Sequence, residues 1–182
     1  MITVQNRALK QLLWVGMGSI SMFFAGLTSA YIVRKGEGNW VEFVLPEWFW
    51  YSTITIVLSS AILILAQQNI KKDKSIFSLV LGVLVLGLLF TFFQFNGWNE
   101  LTSKGIYLTG KGSNVAGSFL YILTLAHLVH LIGGLIALLV TAINAKRKKY
   151  SSENYLGLEI ASIYWHFLSI LWVYLFCFLT YL

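Results

Sequence analysis

The chain has 182 residues, 58% hydrophobic and 11% charged, against about 25% charged in ordinary soluble domains, which argues against a water-soluble fold. Its net charge of +6 calls for no nucleic acid, because the basic residues stand in short clusters beside apolar runs, where the positive-inside rule places them. The only cysteine, Cys177, lies inside the last apolar run, so no internal disulfide forms and the compartment cannot be read from it.

Five runs reach the ~20 residues that cross a bilayer at about 1.5 Å per residue. The first, Gln11 to Val33, has 23 residues without a charge. A signal-peptide core has about 7 to 15, so this run reads as a retained span. Gly18, Ser21, Ala25, Thr28 and Ser29 share one of its faces, and small residues let helix backbones approach in lipid. The loop after it carries Trp40 and Phe43 among Glu37, Glu42 and Glu47, an interfacial composition. Pro46 stands where it can open the next helix.

The second span, Trp48 to Gln67, is featureless apart from Ser59-Ser60. The third, Ile76 to about Trp98, is apolar until Gln94 and Asn96. The fourth runs from Asn114 to Ala145, longer than a bilayer requires. Its His127, His130, Gly134 and Thr141 fall within about 60° of one another at ~100° per residue. Gly133-Gly134 reads as a packing notch rather than a hinge.

The fifth span, Leu158 to about Tyr181, carries Glu159, Ser162, His166, Ser169, Cys177 and Thr180 within about 80°, with Trp165 and Trp172 off that stripe. Lipid tails cannot satisfy such an edge, so a protein surface must cover it. The expected fold is one domain, residues 1–182: an all-α integral membrane protein with five helices in a bundle. Lys and Arg number nine on the side of the N-terminus and the second and fourth loops, and four on the other side. The N-terminus is therefore expected in the cytoplasm and the C-terminus in the periplasm.

Two arrangements could carry chemistry. His127 and His130, an H-x-x-H pair, could join His166 as three nitrogen ligands of a metal, though hydrogen bonding across helices is the better reading of an isolated set of this kind. Glu159 and His166 lie on one face and could relay a proton; a structural hydrogen-bonded pair is preferred, with Glu159 hydrated near Lys148 and Lys149. The chain has no C-x-x-C-H motif, no nucleotide-binding glycine motif and no nucleophile with a plausible base, so no catalytic residue and no metal ligand is assigned.

The run Tyr164-Trp165-His166-Phe167 with Trp172 and Phe176 resembles the closing helix of subunit III of haem-copper cytochrome oxidases, in which Y-W-H-F-V-D is followed by a tryptophan. Thr124, His127, His130 and Gly134 resemble the same family's T-G-x-H-x-x-H-V-x-x-G helix, and Glu159 stands where its last helix begins. Gln94, Trp98, Gly105, Tyr107, Ser118 and Tyr121 are similar to the loop and helix entry of the bacterial branch, and Met22-Phe23-Phe24 with Ala30-Tyr31 to its first helix.

The resemblance implies an accessory subunit of the inner membrane. It would pack on catalytic subunit I and other oxidase subunits, leave haem and copper to those partners, hold phospholipid, and support proton uptake and enzyme lifetime. Longer members have seven spans, and this chain looks like the short form without the first two. The polar seam expected to meet lipid or a neighbouring subunit comprises His127, His130, Glu159, Tyr164, Trp165, His166 and Ser169, with Gly18, Ala25, Gly133 and Gly134 as helix-packing positions. Two departures favour scaffolding over proton handling. Ile20 replaces the family's carbodiimide-reactive glutamate, and Ser169 replaces the aspartate of Y-W-H-F-V-D. The electron donor, cytochrome c or a quinol, stays open. The competing readings are a proton-coupled transporter, disfavoured because five spans do not divide into equal inverted halves, and a three-histidine metalloenzyme.

Overall fold

The computed structural model describes residues 2–38, 40–41, 43–110 and 113–181, with side chains from Asn6 onward. Glu42 and Lys111 lie outside the described residues. The helices are α1 (Ile2–Gly36), α2 (Trp48–Ile70), α3 (Phe77–Ser103), α4 (Val115–Lys146) and α5 (Leu156–Tyr181). All five are long and apolar enough to cross a membrane, and there is no strand among the described residues. The expected all-α, five-helix membrane architecture is what the chain adopts.

Two helices outrun their apolar runs. α1 starts at Ile2 rather than Gln11, and α3 ends at Ser103 rather than Trp98. Hydropathy marks the part of a helix that lipid surrounds, whereas Arg7, Lys10 and Glu100 are good helix formers that carry it on into the headgroup layer.

The helix ends follow from local chemistry. Asn114 caps α4, its Oδ1 accepting from the Gly117 N–H (2.6 Å). A side chain at Gly117 would meet Ile106 Cγ2 at 2.6 Å, so the cap needs glycine there. After α2 the backbone turns left-handed at Asp73 (φ 51°), a conformation that Asp tolerates better than most residues. The Asp73 carboxylate accepts from the Ser152 N–H (2.8 Å) and hydroxyl (3.0 Å). That pair of bonds ties the α2–α3 and α4–α5 loops together at one end of the bundle.

α2 packs on α3, α3 on α4, α4 on α5 and α5 on α2, closing a four-helix ring; α1 lies outside it against α4 and α5. Phe49, Leu63, Phe90, Leu131, Trp165 and Trp172 fill the middle and are fully buried. In lipid, helices gain nothing from leaving water, so dispersion contacts and hydrogen bonds across the seams hold this ring together.

α1 docks through Met17, Phe24, Thr28 and Tyr31. The Tyr31 ring meets Trp40, Phe119 and Phe178 with centroids 4.6, 5.8 and 4.9 Å away. These bulky rings fill the valley between α4 and α5, and of the small-residue face only Thr28 is buried with them. Gly18 has open space around it and Ala25 is exposed, so neither packs against another helix of this chain.

Candidate functional site

Trp165 and Trp172 of α5 organise the polar interior. They stand off the polar stripe of α5 and point at α2, where Trp165 Nε1 donates to Ser59 Oγ (2.9 Å) and Trp172 Nε1 to Thr53 Oγ1 (2.9 Å). A buried indole N–H needs an acceptor, and the serines and threonines of α2 supply it. The Trp165 ring also sits in a notch cut by two glycines. A Cβ at Gly87 of α3 would lie 2.7 Å from its Cη2, and one at Gly134 of α4 would lie 3.1 Å from its Cε3. Gly134 therefore packs as a notch, whereas a Cβ at Gly133 would reach only the Tyr164 ring, 3.7 Å from Oη and 4.0 Å from Cε1.

The same construction recurs one layer along. Gln94 of α3 donates from Nε2 to Ser52 Oγ of α2 (2.8 Å), and Trp98 Nε1 donates to Thr124 Oγ1 of α4 (3.1 Å). Tyr121 closes the far end by donating to the Ile106 carbonyl (3.1 Å).

The three histidines go to different places. His127 is wholly buried between the Phe90 and Trp172 rings (centroids 5.9 and 5.1 Å), and neither of its ring nitrogens has a partner among the described residues. His130 donates from Nδ1 to the Ala126 carbonyl of its own helix (2.7 Å) and lies with its ring 5.7 Å from that of Phe24 on α1. His166 turns towards α2, where its Nδ1 shares a hydrogen bond with Ser60 Oγ. Among the described residues no group of three or more His, Cys, Asp and Glu side chains is placed to share a metal ion.

Glu159 and His166 do not form the expected pair. Glu159 meets Lys10 of α1 at 2.6 Å. Seven residues along one helix face put roughly 10 Å between two backbone positions, and each side chain finds a nearer partner on the adjacent helix. The rest of the seam is taken up inside the bundle. Tyr164 donates to the His130 carbonyl (3.2 Å), Ser169 donates to the Trp165 carbonyl (2.9 Å), and Ser162 is buried with no partner for its hydroxyl among the described residues. What these side chains can do chemically is fix helix register, since most are spent on hydroxyls of α2 or on backbone carbonyls.

Several contributors escape a reading of the sequence. Ser52, Thr53 and Gly87 look unremarkable in apolar runs. Ser59-Ser60 is the one polar interruption visible in the middle of the second span, and it receives both Trp165 and His166.

The family model described as cytochrome c oxidase subunit III matches residues 45–182. A probable cytochrome c oxidase subunit 3 of Nocardia farcinica is 30% identical over 175 residues, covering 89% of this chain and 82% of that protein. The cytochrome c oxidase subunit 3 of Thermostichus vulcanus is 27% identical over 173 residues, covering 87% of this chain and 79% of that protein. That of Corynebacterium diphtheriae is 28% identical over 167 residues, covering 85% and 78%.

Proposed function

The chain belongs to the cytochrome c oxidase subunit III family, and from that premise we propose that it docks on the haem- and copper-bearing catalytic subunit I, N-terminus in the cytoplasm and C-terminus in the periplasm. It is an accessory subunit of a haem-copper oxidase, a multi-pass protein of the bacterial inner membrane that works in a complex with other oxidase subunits. Its task is to hold phospholipid at the edge of the complex and to support proton uptake and the lifetime of the enzyme in turnover.

One observation carries the scaffolding role: the indole and carboxamide groups of the interior lock helix to helix. Trp165, Trp172, Gln94 and Trp98 each reach a serine or threonine on a neighbouring helix, so the interior is built to be rigid. Support for lipid comes from a groove of about 330 Å³ between α1 and α5, lined by Leu9, Leu12, Leu13, Gly16, Ile160 and Tyr164. Lys10, paired with Glu159, stands beside it in sequence at the level of the headgroups.

The test compares the oxidase purified from cells with and without this chain. Without it, the enzyme is expected to carry less lipid phosphorus and to lose activity faster during turnover. Equal lipid content and equal lifetime would contradict the proposal. Assays with reduced cytochrome c and with a quinol decide the electron donor.

A further inference from the structure

α5 has α1 on one flank and α2 on the other, and those two do not touch. The outward face of α5 is thereby left as the floor of a groove. His166, Ile170, Tyr174 and Cys177 lie on it within about 80° at ~100° per residue. On the α2 side the groove has a volume of about 560 Å³ and is lined by Val57, Ser60, Ile64, Ser169, Ile170 and Tyr174. Ile170, on the floor, is 71% exposed.

An acyl chain would suit this surface if it were apolar throughout, and it is not. The bond from Ser60 occupies Nδ1 of His166, and the other ring nitrogen has no partner among the described residues. A neutral imidazole has one donor and one acceptor, so whichever tautomer is present one hydrogen-bonding valence is left over. Depth then decides what can satisfy it. His166 stands ten residues into the 26-residue α5, and Ser60 twelve residues into the 23-residue α2. At ~1.5 Å per residue both fall within about 4 Å of the middle of their helices. Headgroups and ester carbonyls lie roughly 15 Å away, at the edge of a ~30 Å hydrocarbon layer. A phospholipid in the groove would therefore put only methylenes beside an unsatisfied nitrogen, which is unfavourable in hydrocarbon.

We infer that the α1–α5–α2 groove receives a transmembrane helix of another oxidase subunit, whose hydroxyl or carboxamide side chain at mid-membrane depth completes the hydrogen bonding of His166. This rests on the docking function proposed above and adds to it the face used and the chemistry of the occupant. Ser, Thr, Tyr, Asn and Gln can each donate or accept, so any of them meets either tautomer. Isoleucine and valine on the groove walls supply the close packing that helix association in lipid depends on.

Cys177 tests this without a substitution. It is exposed, lies within about 20° of His166 on the helix and stands roughly 16 Å further along it. In the complex purified through a tag on this chain, Cys177 is coupled to a benzophenone maleimide and irradiated. The expected product is a cross-link to another oxidase subunit. His166→Phe should weaken retention of that subunit about threefold, and by no more than ~20-fold, the range of single interhelical hydrogen bonds. Ile170→Trp, which fills the groove and breaks no hydrogen bond, should also displace it. Cross-links confined to phospholipid or to a second copy of this chain, with haem-bearing subunits still on the tag, would overturn the groove assignment and leave the family-level docking intact. Absence of haem-bearing subunits from the tagged material would overturn the docking itself.

Discussion

Gly87→Ala probes the packing of the core most directly. The added Cβ would lie 2.7 Å from Trp165 Cη2 and 2.7 Å from Leu135 Cδ2, whereas carbons settle at about 3.5–4.0 Å. Either α3 moves outward by roughly 1 Å or Trp165 gives up its bond to Ser59. Overpacking of this kind costs about 1–3 kcal/mol. Unfolding in mild detergent titrated with sodium dodecyl sulfate, followed by circular dichroism, measures it. Gly133→Ala is the matched control, because its Cβ meets nothing nearer than Tyr164 Oη at 3.7 Å; it should shift stability by less than about 0.5 kcal/mol. Trp165→Phe takes away the indole atoms that clash, so Gly87→Ala should cost about 1 kcal/mol less in that background. Equal effects at Gly87 and Gly133, or strict additivity with Trp165→Phe, would refute the notch.

Three further outcomes follow from the seam residues. His127→Phe should leave stability unchanged or raise it by about 1 kcal/mol, since a buried ring without hydrogen-bond partners is exchanged for an apolar one; a loss above ~2 kcal/mol in the same titration would mean that the imidazole has a partner. Lys10→Met should cost under about 1 kcal/mol and the difference should fade in high salt, because both partners of the 2.6 Å Lys10–Glu159 bridge are partly exposed; a larger, salt-independent loss would show that the bridge is the main anchor of α1. Elemental analysis of the isolated chain should find no stoichiometric metal, and metal bound one-to-one and lost in His130→Ala would restore the metalloenzyme reading.

The five helices are legible in the sequence because hydropathy reports directly on lipid exposure, and α5 shows its polar stripe by periodicity alone. Periodicity gives the direction of a side chain and says nothing about which helix lies there. Ser162 is covered by this chain's own bundle, Ser169 lies buried at the edge of the groove beside α2, and Cys177, on the same stripe, is exposed. The Lys10–Glu159 bridge joins residues 149 positions apart, and no local pattern announces such a pair. The outward turn of Gly18 and Ala25 has the same origin. A small-residue face signals that close approach is possible, but Phe24 and Tyr31, turned roughly 100–140° from Gly18 and Ala25, fill the valley better.

The central claim is that these five helices form one wall of a larger oxidase. Affinity purification through a tag on this chain, with the subunit composition and visible absorption spectrum of the product recorded together, tests it most directly. The account predicts a complex that shows haem absorbance and contains the catalytic subunit in equal amount. A stable, colourless, single-chain product from membranes that retain oxidase activity would contradict it.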